Sequence, residues 1–139
     1  MYIIKVENSF NSAHFLAGYA GKCANIHGHR WKVEVEVQTQ NLEENGQIKG
    51  MVADFSDVKS DLNDILENYD HALIIEHGSM RSETLNCIIE DGFKVVQVPF
   101  RTTAENFACF FYKEMKKKGY DIKRVTVHET LKNSATYEE

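Results

Sequence analysis

The stretch Cys23-Ala24-Asn25-Ile26-His27-Gly28-His29-Arg30-Trp31 brings a thiol and two imidazoles into one short run. Beyond it, Trp31, Val33, Val35 and Val37 alternate with Lys32, Glu34, Glu36 and Gln38, the period of a strand with one buried face. His27 and His29 share the parity of the apolar residues, so both rings point to the buried side and can meet one metal ion. Gly28 removes side-chain bulk between them. A third imidazole lies upstream. From Tyr2 to Leu16 the even positions make the better core face, and His14 lies near its end. If residues 17–26 join the two strands into an antiparallel pair, His14 arrives beside His27 and His29. A His-Gly-His tripeptide alone is also an ordinary turn; the matching His14 and the nearby Cys23 carry the metal reading. Three neutral imidazoles without a fourth protein ligand describe a catalytic zinc site with an open position. Copper, nickel and iron also accept all-nitrogen ligation.

Three further groups could act beside such a metal. Cys23 follows Lys22 in a loop rich in Gly and Ala. A neighbouring cation favours the thiolate, which serves as nucleophile or general base. Cys87 and Cys109 sit in apolar stretches and read as small buried hydrophobes. Asp70-His71 pairs a carboxylate with an imidazole through a turn, either to move protons or simply to cap the end of the preceding helix. Glu129 has the inward parity of Val125 and Val127, and a buried carboxylate is costly unless paired. No lysine or arginine has an obvious reason to meet it. Either the strand frays at 129, or the carboxylate accepts two adjacent N–H donors from a ligand, the edge that pterin and guanine rings present.

The elements that must position these groups fit one domain, residues 1–139. A net charge of −5 and no basic stripe beyond Lys116-Lys117-Lys118, which suits a helix C-terminus, argue against nucleic acid as a partner. No apolar run is long enough to span a membrane, and no signal peptide is visible. Three cysteines make a sparse, odd set that points to a reducing cytoplasm. After the two strands, Asn45-Gly46 reads as a hairpin turn followed by a short strand. Val58, Leu62, Ile65, Leu66 and Tyr69 form one helical stripe, capped by Asp54 or Ser56. Ser82–Ile89 is a candidate short helix ending at Asp91-Gly92. Phe93–Pro99 is a strand near an edge, given its proline. Thr102-Thr103-Ala104-Glu105 reads as a capping box for a helix with the stripe Phe107, Phe111, Met115, stopped by Gly119. Strands follow at 122–129 and 135–137. Two helices on one face of an antiparallel sheet is the α+β arrangement expected.

Taken in order, Ser12-Ala13-His14, Cys23 three residues before His27-Gly28-His29, Asp70-His71, Thr103-Ala104-Glu105-Asn106 and His128-Glu129-Thr130 resemble the motifs of the 6-pyruvoyltetrahydropterin synthase superfamily. The Cys-to-His spacing is similar to that of the bacterial 6-carboxytetrahydropterin synthases of queuosine biosynthesis. The resemblance implies a tunnelling fold: a four-stranded antiparallel sheet with two antiparallel helices on one face, subunits joining into a barrel and rings stacking as a homohexamer, a dimer of trimers. It implies zinc on His14, His27 and His29, Cys23 as general base, and Asp70 with His71 as a dyad from a neighbouring subunit. It implies Glu129 as the pterin anchor, with Thr103 and Glu105 lining the pterin pocket, although helix capping is itself a sufficient reason for those two. The implied reaction converts 7,8-dihydroneopterin triphosphate to 6-carboxytetrahydropterin, acetaldehyde and triphosphate. The alternatives are a 6-pyruvoyltetrahydropterin product, and a metal-binding protein without turnover. The sequence departs from the pattern in the segment Arg101-Thr102-Thr103, where many bacterial relatives have a proline, at Trp31, often Tyr or Phe, and in the longer segment 74–98.

Overall fold

Strands β1, Tyr2–His14, and β2, His27–Thr39, pair antiparallel over their whole length in the computed structural model, which describes residues 1–139. The even residues Val6, Phe10, Ser12 and His14 of β1 are buried, as are the odd residues Trp31, Val33, Val35 and Val37 of β2. The opposite face carries Lys5, Glu7, Lys32, Glu34 and Glu36, joined in part by Lys5–Glu34 and Lys32–Glu34 contacts of 3.4 Å. A slip of one residue would put the ionised set into the core, so the alternation fixes the register.

Helix α1, Phe55–Leu66, begins where the Asp54 carboxylate accepts the Ser56 N–H at 2.7 Å. It buries Val58, Leu62, Ile65 and Leu66. Helix α3, Ala104–Lys117, buries Phe107, Phe111 and Met115 and ends before Gly119, whose φ of 97° is a left-handed stop. Both pack on the apolar face, where Phe10 meets Phe107 and Phe111 edge-on at 6.2 and 5.7 Å. Strand β5, Ile122–His128, pairs with β2 and buries Val125 and Val127; β6, Ser134–Tyr137, pairs with β5.

The sheet has six strands in the order β4-β3-β1-β2-β5-β6 rather than four. The additional pair, β3 (Ala72–Glu76) and β4 (Val95–Val98), is parallel, so the sheet is mixed. A parallel pair needs a crossover, and α2, Ser82–Glu90, supplies it as a third helix. That crossover accounts for the longer segment 74–98. Pro99 follows β4 at the sheet edge, as its missing N–H requires.

Three local readings change. Residues 41–53 form no strand; Glu43 and Gly50–Met51 close an irregular loop through backbone bonds of 2.8 and 3.1 Å. The cap of α3 is Thr103, which accepts the Asn106 N–H at 3.3 Å, so Thr102 and Glu105 are not the two ends of a capping box. Cys87 is exposed on α2 instead of buried. No helix is long and apolar enough to cross a membrane.

Candidate active site

The β1–β2 register sets His14 opposite His27 and Ser12 opposite His29. One ring nitrogen from each of His14, His27 and His29 lies within 4.8 Å of the other two. The trio sits on Trp31, whose ring meets those of His14 and His29 edge-on at 5.1 and 5.3 Å.

The tautomers follow from the backbone. Nδ1 of His14 lies 2.8 Å from the carbonyl of Thr102 and 3.0 Å from its hydroxyl; Nδ1 of His27 lies 2.6 Å from the carbonyl of Asn25. A carbonyl only accepts, so both Nδ1 atoms carry protons, and in the neutral rings both Nε2 atoms present lone pairs. Those Nε2 atoms lie 3.1 Å apart, a repulsive arrangement for two lone pairs and an attractive one when both point to a shared cation beside them. Nε2 of His29 is buried and makes no well-formed hydrogen bond, although a carboxylate oxygen of Glu129 lies 3.2 Å away outside hydrogen-bonding geometry. Burial first, then the neighbouring His27, pushes His14 down to about 4. Burial also lowers His29, against the pull of Glu129. Neutral imidazoles with outer nitrogens fixed by carbonyls are what metal ligation requires, and the donor set fits a metal ion.

Glu129 stands just past β5, with its N–H donating to the Asn133 carbonyl at 3.1 Å, so the chain remains held where the strand ends. Its Oε1 lies 3.2 Å from Nε2 of His29, and no lysine or arginine pairs with it. It lines a concavity of about 730 Å³ with His29, Lys32 and His128.

Asp70 and His71 form a knot on β1. The Asp70 carboxylate accepts the Asn11 N–H at 2.9 Å with one oxygen and meets Nδ1 of His71 at 2.9 Å with the other. The His71 N–H donates back to the Asn11 carbonyl at 2.6 Å, with His71 in a left-handed conformation, φ 54°. The Asn11 N–H, then His71, hold the Asp70 carboxyl below its ordinary range. The end of α1 is served instead by Lys94, whose Nζ donates to the Glu67 and Asp70 carbonyls at 2.9 and 3.0 Å. His71 lines a second open concavity, of about 700 Å³, together with His29 and Arg30.

Cys23 lies in a 3₁₀ turn, Lys22–Ala24, half-buried and outside the nitrogen trio; its carbonyl accepts the Leu16 N–H at 2.8 Å. Thr103 caps α3 and Glu105 is exposed; neither lines a concavity beside the imidazoles.

Two residues of the site escape sequence reasoning. Thr102, 1% exposed, fixes His14. Arg101 donates to the Ala17 carbonyl at 3.1 Å and lies over the Tyr19 ring, holding the loop that carries Cys23. Both bridge more than 80 residues of chain, and no periodicity connects such positions.

Residues 3–139 match the family model described as 6-pyruvoyl tetrahydropterin synthase. The chain is 38% identical to the 6-carboxy-5,6,7,8-tetrahydropterin synthase of Haemophilus influenzae, over the whole of both chains. It is 34% identical to the protein of that name from Aquifex aeolicus, over 85% of this chain and 76% of the relative. An uncharacterised protein of Wolinella succinogenes shares the fold, with a TM-score of 0.79 at 21% identity over 99% of this chain and 98% of that one.

Proposed function

The chain belongs to the 6-pyruvoyl tetrahydropterin synthase family, and from that membership we propose that it is a 6-carboxy-5,6,7,8-tetrahydropterin synthase. The substrate is 7,8-dihydroneopterin triphosphate; the products are acetaldehyde, triphosphate and 6-carboxytetrahydropterin, the last of which serves queuosine biosynthesis. The observation that carries the reading is the carboxylate of Glu129 beside the His14, His27 and His29 trio, whose ring nitrogens converge within 4.8 Å.

His14, His27 and His29 hold zinc, which supplies Lewis-acid polarisation of the substrate's side-chain oxygens. Glu129 accepts the two adjacent N–H donors of the pterin edge and so sets the ring's distance from the imidazoles. The family pattern adds Thr103 and Glu105, from the N-terminal turn of α3, to the pterin pocket, although neither lines a concavity of the single chain and Thr103 already acts as cap. Cys23 takes a proton as general base. His71, oriented by Asp70, moves a second proton, and the Asn11 N–H on Asp70 keeps that carboxylate ionised.

The β4 and β6 edges of the sheet are unpaired within one chain, and such edges favour closure by neighbouring subunits. We place the dyad at that junction, serving the neighbour's site in a tunnelling homohexamer. Three unbridged cysteines suit a reducing cytoplasm.

Incubation with 7,8-dihydroneopterin triphosphate tests the function. Acetaldehyde and 6-carboxytetrahydropterin, identified by mass, are expected. Triphosphate release with a 6-pyruvoyl product replaces the reading by the pyruvoyl reaction, and zinc-loaded protein without turnover replaces it by a metal-binding role.

A further inference from the structure

The outward face of the β1–β2–β5 sheet is closely balanced in charge, with an exception beside the site. Lys5 meets Glu34 at 3.4 Å, Lys32 meets Glu7 and Glu34 at 3.8 and 3.4 Å, and Arg124 meets Glu36 at 3.1 Å. The Arg30 side chain has no carboxylate within 4.0 Å and no hydrogen-bond acceptor, although it neighbours His29 in sequence and the chain carries 21 acidic residues. A guanidinium left unpaired on a strand otherwise rich in ion pairs is free to bind an anion from outside.

Arg30 lines both concavities, which meet at His29 and Gly28. The two differ in charge. One contains Glu7 and Glu129. The other is lined by Arg30, Lys94, His29 and His71 and by no aspartate or glutamate. Lys94 donates to the Glu67 and Asp70 carbonyls and makes no direct ion pair, though its charge reaches the Asp70 carboxylate, whose two oxygens are engaged by Asn11 and His71. Ser12 adds a buried hydroxyl with no hydrogen-bond partner to the same lining. Gly28 leaves the strip between them low: a Cβ there would find only the Ser12 carbonyl, at 3.7 Å.

We infer that Arg30 is a binding residue for a polyphosphate group, received in the carboxylate-free concavity while the Glu129 side takes the ring. The assignment rests on the pterin triphosphate reading and extends it to the tail of that substrate. A planar guanidinium matches phosphate oxygens bidentately, and the separation of the two carboxylates from the anion's side of Gly28 avoids repulsion. In a chain of net charge −5 an anion needs such a local cation to enter.

Calorimetric titration of inorganic triphosphate into the purified oligomer at low ionic strength tests this, on metal-loaded and on chelator-treated protein. Neopterin, which has no phosphate, is titrated in parallel. The parent binds triphosphate in both metal states, and Arg30→Met weakens it about 10- to 100-fold, the range for charged hydrogen bonds. Arg30→Lys falls between, because it keeps charge without the fork. Neopterin affinity falls by less than triphosphate affinity in both variants. Equal triphosphate affinity in parent and Arg30→Met overturns the assignment, as does a parent that binds triphosphate only when loaded with metal. Triphosphate binding that depends on Arg30, in a parent that binds no neopterin, sustains the anion site and removes the pterin reading instead.

Discussion

The carboxylate of Glu129 lies 3.2 Å from Nε2 of His29, although the two residues belong to the ends of different strands. The β2–β5 pairing brings them together: Lys32 is opposite His128, so β5 ends three residues along β2 from His29. His29 lies on β2 and Glu129 follows directly on the last ladder pair, so the proposed metal ligand and the proposed ring anchor are spaced by that ladder. Glu129→Ala leaves the ring donors without an acceptor and is expected to cost about 1.5–3 kcal/mol of pterin affinity. Zinc content should remain that of the parent. Fluorescence titration of a non-reacting pterin checks the first and elemental analysis the second; unchanged affinity places the ring elsewhere.

Thr102→Val removes the hydroxyl from Nδ1 of His14 but keeps the carbonyl that fixes its tautomer. Loss of an outer partner of a metal-bound histidine usually costs about 10- to 100-fold in metal affinity, and the retained carbonyl puts this variant near the lower figure. Competition with a chromophoric chelator measures it. A parental zinc affinity would show that the carbonyl alone orients the ring.

Cys23→Ala should separate proton transfer from binding. With the thiol gone, kcat is expected to fall by about 10²–10⁴-fold, the range for a lost acid–base group. Pterin affinity and zinc content should not change, because the half-buried thiol stands outside the nitrogen trio. Single-turnover kinetics decide it, and a normal rate assigns the proton to another group.

The metal-free protein should lose stability in mild acid. His14 titrates near 4 in the fold against 6.5 for an ordinary histidine. Between those values the unfolded chain holds a proton that the folded chain does not, so falling pH favours unfolding. The contribution is fully present above pH 6.5, shrinks as the pH falls toward 4, and is flat below. His14→Gln reduces that slope, leaving the part owed to His29, which burial also lowers. Urea midpoints of both proteins across this range test it; parallel profiles would mean that His14 is not the group responsible.

Much of this molecule is determined by local sequence. Period-two alternation fixes which faces of β1, β2 and β5 are buried, because one slip would bury a row of charges. That same parity places His14, His27 and His29 on one side, so the donor set is legible before any folding is considered. Stripes at helical spacing do the same for α1 and α3. Tertiary structure alone decides what local pattern cannot encode. The short parallel strands β3 and β4 carry too few residues to show a period, and their pairing depends on the α2 crossover. Thr102 becomes the partner of His14 only because α3 begins above the end of β1, and that same start displaces the cap from Thr102 to Thr103. Arg30 looks like one more surface charge in an alternating strand. Its lack of a partner depends on where every neighbouring carboxylate finally lies, a property of the assembled surface and not of any stretch of chain.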